Sequence, residues 1–210
     1  MYYLTQSLLS NWRYFLNAED AYSEQAYQSF LSALRREKTE PTKAMLDGIA
    51  FEDAINETIL GNSPEVNPKW DAAVKRFSRI CTGGQPQAPV SGVLNVSGMD
   101  IAVYGLCDYV KAGTIYDIKK VTRYEYGKYF DSPQHPMYLR LVSGAKKFVY
   151  LIFDGMHTYT ETYRPGDFRP IEEIISEFIE WLHNTNNYEE FEKYWTMNDE
   201  RKERIYELQF

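Results

Sequence analysis

Cysteine is scarce in this sequence. Only Cys81 and Cys107 occur among 210 residues, so one chain builds neither a disulfide framework nor a four-cysteine iron–sulfur cluster. Long apolar runs are missing too: no stretch reaches the roughly 18 residues that would cross a bilayer. The opening MYYLTQSLLSNWRYFL has neither the charged start nor the small-residue cleavage site of a secretory signal. Together these absences make cytoplasmic residence, with no membrane partner, the expectation. Histidine is rare, and His135, His157 and His183 read as surface or packing residues. An excess of positive charge is also lacking. A net charge of −7 argues at first sight against a partner whose affinity rests on neutralised phosphates.

The distribution of charge changes that reading. Residues 161–210 carry 13 acidic and 6 basic side chains, while the other 160 residues balance. Residues 105–147 hold 8 Lys or Arg against 4 Asp or Glu. The acidity therefore belongs to the C-terminal segments, where it reads as a solvated face. What the chain does have is apolar material, with 44% hydrophobic residues and 16% aromatic. That composition argues against disorder, and the length suits one domain with a real core.

Helical periodicity dominates residues 1–82. TQSLLSNWRYFL carries Leu8, Leu9, Trp12, Phe15 and Leu16 at helical spacing, with Thr5 as a cap. Further helices are expected over 20–37, 41–60 and 68–80, and CTGGQPQAP then breaks the pattern. Strands follow in residues 89–163: VSGVLNV, MDIAVYGLCDYV, TIYDIKKV, KKFVYLIF and HTYTETY. A helix over 133–145 is inserted among them. Two acidic amphipathic helices, over 170–184 and 187–196, lead to NDERKERIYELQF, which reads as a solvated helix. The expectation is a single α+β domain over 1–210, with a central mixed sheet flanked by helices.

The stretch GLCDYVKAGTIYDIKKV carries the first chemical signal. If Ala112-Gly113 is a two-residue turn, Asp108 falls opposite Asp117, and like charges directly opposite are destabilising. Lys119 shares the face of Asp117. From the hairpin alone, a salt bridge to Lys119 and a bound divalent cation both remain open. A second signal lies in TKAMLDGIAFEDAINETIL. At about 100° per residue, Met45, Ile49, Ile55 and Ile59 form a stripe centred on Glu52. A carboxylate on such a stripe needs a partner or becomes neutral. Gly48, on the same stripe, would admit a close backbone. In DSPQHPMYLRLVSGA, Gln134 joins Tyr138, Leu141 and Ala145 on one face, either as a surface cap or as an inward amide. Oxygen ligands of this kind suit Mg²⁺, and a lysine beside them can stabilise charge in a phosphodiester hydrolysis.

GIAFED, GLCDYV, YDIKKV and QHPMY, in that order, resemble the PD-(D/E)XK nuclease superfamily, with the closest likeness to RecB-type nuclease domains and phage-type exonucleases. TQSLLSNWRYF also resembles the opening of RecB-type domains. The resemblance covers most of the chain and implies a restriction-endonuclease-like fold. It implies a DNA nuclease, by expectation an exonuclease of phage or mobile-element recombination or repair. Glu52, Asp108 and Asp117, with the carbonyl of Ile118, would hold Mg²⁺ or Mn²⁺. Lys119 would position the attacking water, and Gln134 and Tyr138 would support the site. DNA, a homo-oligomer and a recombination protein are the implied partners. Three departures stand out. Cys107 replaces the usual proline, no iron–sulfur cluster is expected, and Glu52 stands where many RecB-type members have histidine. In VTRYEYGKYF, Arg123 and Lys128 are candidate phosphate contacts, and Tyr124, Tyr126 and Tyr129 candidate stacking platforms; packing on the domain is the other reading. The alternative function is a non-catalytic nuclease-fold subunit that binds DNA or protein.

Overall fold

The computed structural model describes residues 1–198; the expected helix in NDERKERIYELQF lies almost wholly outside them. The described chain runs β1 (Tyr2–Thr5), α1 (Gln6–Leu16), α2 (Ser23–Leu34), α3 (Lys43–Ile59), α4 (Asp71–Cys81) and β2 (Gln85–Val96). It continues with β3 (Met99–Lys111), β4 (Thr114–Lys120), α5 (Gln134–Leu141), β5 (Lys147–Phe153), β6 (Thr158–Tyr163), α6 (Ile171–Asn184) and α7 (Tyr188–Trp195). The fold is α+β, built on a six-stranded mixed sheet.

β3 organises the sheet. It pairs antiparallel with β2 along nearly its whole length, and its other edge is shared by β1 and β4. β4 and β5 run parallel, and β6 closes the sheet as an antiparallel neighbour of β5. Both faces are covered. Along β5, Phe148, Tyr150 and Ile152 enter one core with α1, α2, α5, α6 and α7, while Val149, Leu151 and Phe153 enter a second core under α3 and α4. A strand buried on both sides needs an unbroken apolar run, and KFVYLIF supplies it.

The structure departs from the sequence reading in four places. Residues 2–5 form a strand, not the lead-in to a helix; Tyr3 and Leu4 are buried and the segment aligns on Ile101–Tyr104. β2 begins at Gln85, inside the segment taken as a break. It tolerates Pro86 and Pro89 because, as an edge strand, it pairs only with β3. The helix expected to reach 145 stops at Leu141, since Val142 is extended and Gly144 is left-handed at φ 74°. The stripe on α3 is the largest correction. Phe51, Ala54 and Ile55 make the buried face, whereas Met45 and Ile49 are 56% and 54% exposed. In the first turns of α3 the apolar side chains Met45, Leu46 and Ile49 are exposed, while Asp47 pairs with Lys120 of β4. Gly48 likewise has open space where a Cβ would stand.

Candidate active site

The turn at Ala112-Gly113 has the expected register: Lys111 pairs with Thr114, Val110 with Ile115 and Tyr109 with Tyr116. The next pair would be Asp108 and Asp117, and there the ladder opens. Asp108 Oδ2 instead accepts the backbone N–H of Ile118 at 2.7 Å. One of the two like charges is thus held by a backbone donor, and the two stay close enough for Asp117 to raise the Asp108 pKa.

Asp117 is 2% exposed. The Gln134 amide donates to its Oδ1. Lys119 Nζ lies 2.7 Å from its Oδ2 as an ion pair, but that oxygen still lacks a well-directed hydrogen bond. Gln134 is therefore an inward amide, not a surface cap. One turn on, the Tyr138 hydroxyl donates to the Leu106 carbonyl at 3.1 Å and meets the Leu106 N–H at 3.3 Å. Gly105 makes this possible: a Cβ there would fall 2.2 Å from the Tyr138 ring. The glycine three residues before Asp108 is thus needed for the tyrosine four residues after Gln134.

Glu52 reaches the same cleft from α3, its carboxylate accepting the Gln87 amide. The cleft, about 360 Å³, is lined by Glu52, Asp108, Asp117, Ile118, Lys119, Gln134 and Tyr138, with Thr5, Gln6 and Ser7 at the start of α1. Every residue expected at the centre is present in it.

The electrostatics show strain. Burial pushes the Asp108 carboxyl well above its ordinary pKa, and Asp117 and Glu52 push it further. Burial also raises Asp117, against the opposing pull of Lys119 and Gln134. Glu52 is raised by burial, then by Asp117 and Asp53. For Lys119, burial works downward, but Asp117 and Asp108 outweigh it and the pKa rises. Three carboxylates thus share one cation.

Among the described residues, no three His, Cys, Asp or Glu side chains stand together as a ready-made metal cage. The carboxylates are turned to protein donors instead: Ile118 N–H, Lys119 and Gln134, and Gln87. The donor set nevertheless fits a hard divalent cation. All its atoms are oxygens, Asp117 and Glu52 raise the Asp108 pKa, and Asp117 Oδ2 is held by the Lys119 ammonium alone. Thiolate ligation has no part here: Cys81 and Cys107 are buried and free, with burial pushing both thiols up to about 12.

The loop between β4 and α5 divides its candidates. Tyr124 turns inward, donating to Glu161 at 2.6 Å and packing 4.8 Å from Tyr159. Tyr129 stacks on Tyr150 at 4.4 Å. Those two rings pack and are not free platforms. Tyr126 is 87% exposed, and Arg123 and Lys128 lie beside it at the surface. His135 is a core residue, stacked on Tyr163 at 3.9 Å, and burial lowers its pKa to about 3. His157 and His183 are exposed.

Sequence reasoning missed Gln87, Glu161 and the α1 start. Gln87 gave no signal inside a Gly/Pro-rich stretch. Glu161 is one acid among many near the C-terminus. The α1 residues were legible as a helix start, but only the unexpected strand β1 carries them to the cleft.

No protein-family model matches the chain, and no curated protein matches it. Among solved structures, one described as the crystal structure of SSO0001 is similar, with 15% sequence identity and a TM-score of 0.47. The match covers 86% of this chain and 76% of that one. Among the described residues, no helix is long and apolar enough to cross a membrane.

Proposed function

We propose that the protein is a divalent-metal-dependent nuclease of the PD-(D/E)XK type with a restriction-endonuclease-like core, acting on DNA as an exonuclease. One observation carries the reading: Glu52, Asp108, Asp117 and Lys119, drawn from a helix and two strands, converge on one cleft. Asp108, Asp117 and Glu52, with the Ile118 carbonyl, would hold Mg²⁺ or Mn²⁺. When bound, such an ion supplies Lewis acidity toward a phosphate oxygen and lowers the pKa of a water. Lys119, kept protonated by Asp117 and Asp108, orients the attacking water and offsets charge growing on the phosphorane. Gln134 holds Asp117 Oδ1, and the ion would share Oδ2 with the Lys119 ammonium. Tyr138 fixes the strand segment that precedes Asp108. Thr5, Gln6 and Ser7 line the same cleft, where neutral hydrogen-bonding groups can meet a phosphodiester backbone without further cations.

Phage or mobile-element recombination is the proposed setting, with DNA as partner and a recombination protein or further copies of the chain as company. The test is degradation of end-labelled single- and double-stranded DNA with Mg²⁺ or Mn²⁺. EDTA and Lys119→Ala should each abolish it, with circular dichroism confirming that the variant is folded. DNA left intact under every metal, while the folded chain still retards it on a gel, would replace the nuclease with the non-catalytic binding subunit.

A further inference from the structure

A second buried carboxylate lies outside the cleft. Glu161, on β6, is 2% exposed. It accepts hydrogen bonds from the hydroxyls of Tyr124 and Tyr163, and among the described residues no ion pair reaches it. A buried carboxylate held only by neutral donors is costly unless those donors are kept in place. Tyr163 is its own strand neighbour. Tyr124 is the distinctive partner, because it comes from the loop between β4 and α5.

That loop has no regular secondary structure over residues 121–133. Its order comes from a few fixings. Tyr124 is tied to Glu161. Gly127 turns the chain at φ 86°, with Phe130 N–H bonded to the Gly127 carbonyl at 3.0 Å. Tyr129 then returns to stack on Tyr150. The ring of Tyr150 lies 6.0 Å from Lys119 Nζ, so the stack that secures the loop stands next to the lysine of the cleft. Between the two inward rings, Tyr126 points out with almost its whole surface in water. Lys128 donates to the Arg123 carbonyl at 3.3 Å, and the Arg123 guanidinium pairs with Glu125.

We propose that Glu161 is the buried anchor of this loop, and that the anchored loop presents Tyr126 as a stacking platform for an unpaired base. The proposal rests on the nuclease reading for its ligand, but not for its anchor. A rigid exposed ring with a lysine at its base is the equipment of single-strand binding, where stacking tolerates any base. Without the anchor the ring would have to be ordered on binding, at an entropic cost.

The experiment uses the full chain with Lys119→Ala, so that DNA survives the assay, and compares Glu161→Gln, Tyr124→Phe and Tyr126→Ala. Amide hydrogen exchange reports the loop, and anisotropy of fluorescein-labelled oligo(dT) reports binding. Glu161→Gln and Tyr124→Phe should each speed exchange across 121–133 while α6 keeps its protection, and the double variant should be no worse than either single one. Tyr126→Ala should leave exchange unchanged and weaken oligo(dT) binding about tenfold. In the cleaving parent, Glu161→Gln should raise KM by more than it lowers kcat, which a purely structural defect would not do. Unchanged exchange in both anchor variants overturns the anchor, whatever the activity. Tyr126→Ala binding as tightly as its parent overturns the platform. No oligo(dT) binding by the parent overturns the platform alone, since the nuclease reading is judged by cleavage of single- and double-stranded DNA and the anchor by the exchange data.

Discussion

Gly105 shows how much one missing Cβ can decide. The Tyr138 ring fills the space a side chain would need, and its hydroxyl secures Leu106, two residues before Asp108. Gly105→Ala should therefore cost about 1–3 kcal/mol by overpacking. The cost should shrink in a Tyr138→Ala background, where the ring is gone; urea denaturation of the two single variants and the double variant measures the coupling. Equal costs in both backgrounds would place the strain elsewhere. At this scale the sequence was readable because the chemistry is local. Asp108, Asp117, Lys119, Gln134 and Tyr138 follow from strand alternation and helix spacing in adjacent segments. Glu52 sits on a stripe that is only half inward, with Ile55 buried and Ile59 partly so but Met45 and Ile49 exposed, and it still lines the cleft. Gln87 and Glu161 were not readable, because their partners lie 35 and 37 residues away.

At the level of elements, β2 is the instructive case. Pro86 pairs with Tyr109 and Ala88 with Cys107, while Gln87, between them, stands left-handed at φ 45°. Glutamine rarely adopts that conformation, and strain of this kind clusters at functional sites. Here it aims the side chain at Glu52. Gln87→Gly and Gln87→Ala both delete the amide, so their difference isolates the backbone. Gln87→Gly should be the more stable by about 1 kcal/mol, reversing the usual order in a strand; thermal unfolding of the pair decides it. A normal order would mean that the kink relaxes once the amide is gone. Element boundaries were legible wherever periodicity and local stops agreed, as at Gly61 after α3 or the turn after β3. They failed where pairing overrides composition. β1 exists because β3 offers it an edge, and β2 extends through its prolines because its outer edge has no strand to pair with.

Over the whole molecule, net charge misleads and its placement informs. A chain of net −7 concentrates three acids around one lysine and leaves that imbalance as a titratable weakness. Asp108, Asp117 and Glu52 all have native pKa values raised above their ordinary range. Between the ordinary and raised values the native state holds more protons than the unfolded chain, so stability falls as pH rises through that window. Lys119 adds the opposite-signed group: its raised pKa contributes stability throughout neutral pH and loses it only above the ordinary lysine range. His135 works the other way, because burial keeps its imidazole neutral while the unfolded chain protonates it below the ordinary histidine range. The acids are therefore read from a difference: from pH 5 to pH 8 the metal-free chain should lose stability relative to Asp108→Asn, which keeps an acceptor for the Ile118 N–H. Mg²⁺ or Mn²⁺ should act in the reverse sense, since it binds the ionised carboxylates. At 100 times its Kd it should add about 2.7 kcal/mol, or roughly 5–10 °C, at pH 8 and much less at pH 5. Calorimetry across pH with and without metal, repeated on Asp108→Asn and Glu52→Gln, tests both halves. A metal-free pH profile that is the same in the parent and in Asp108→Asn would mean that the acids are already satisfied. The cleft would then be a structural network with no demand for an ion.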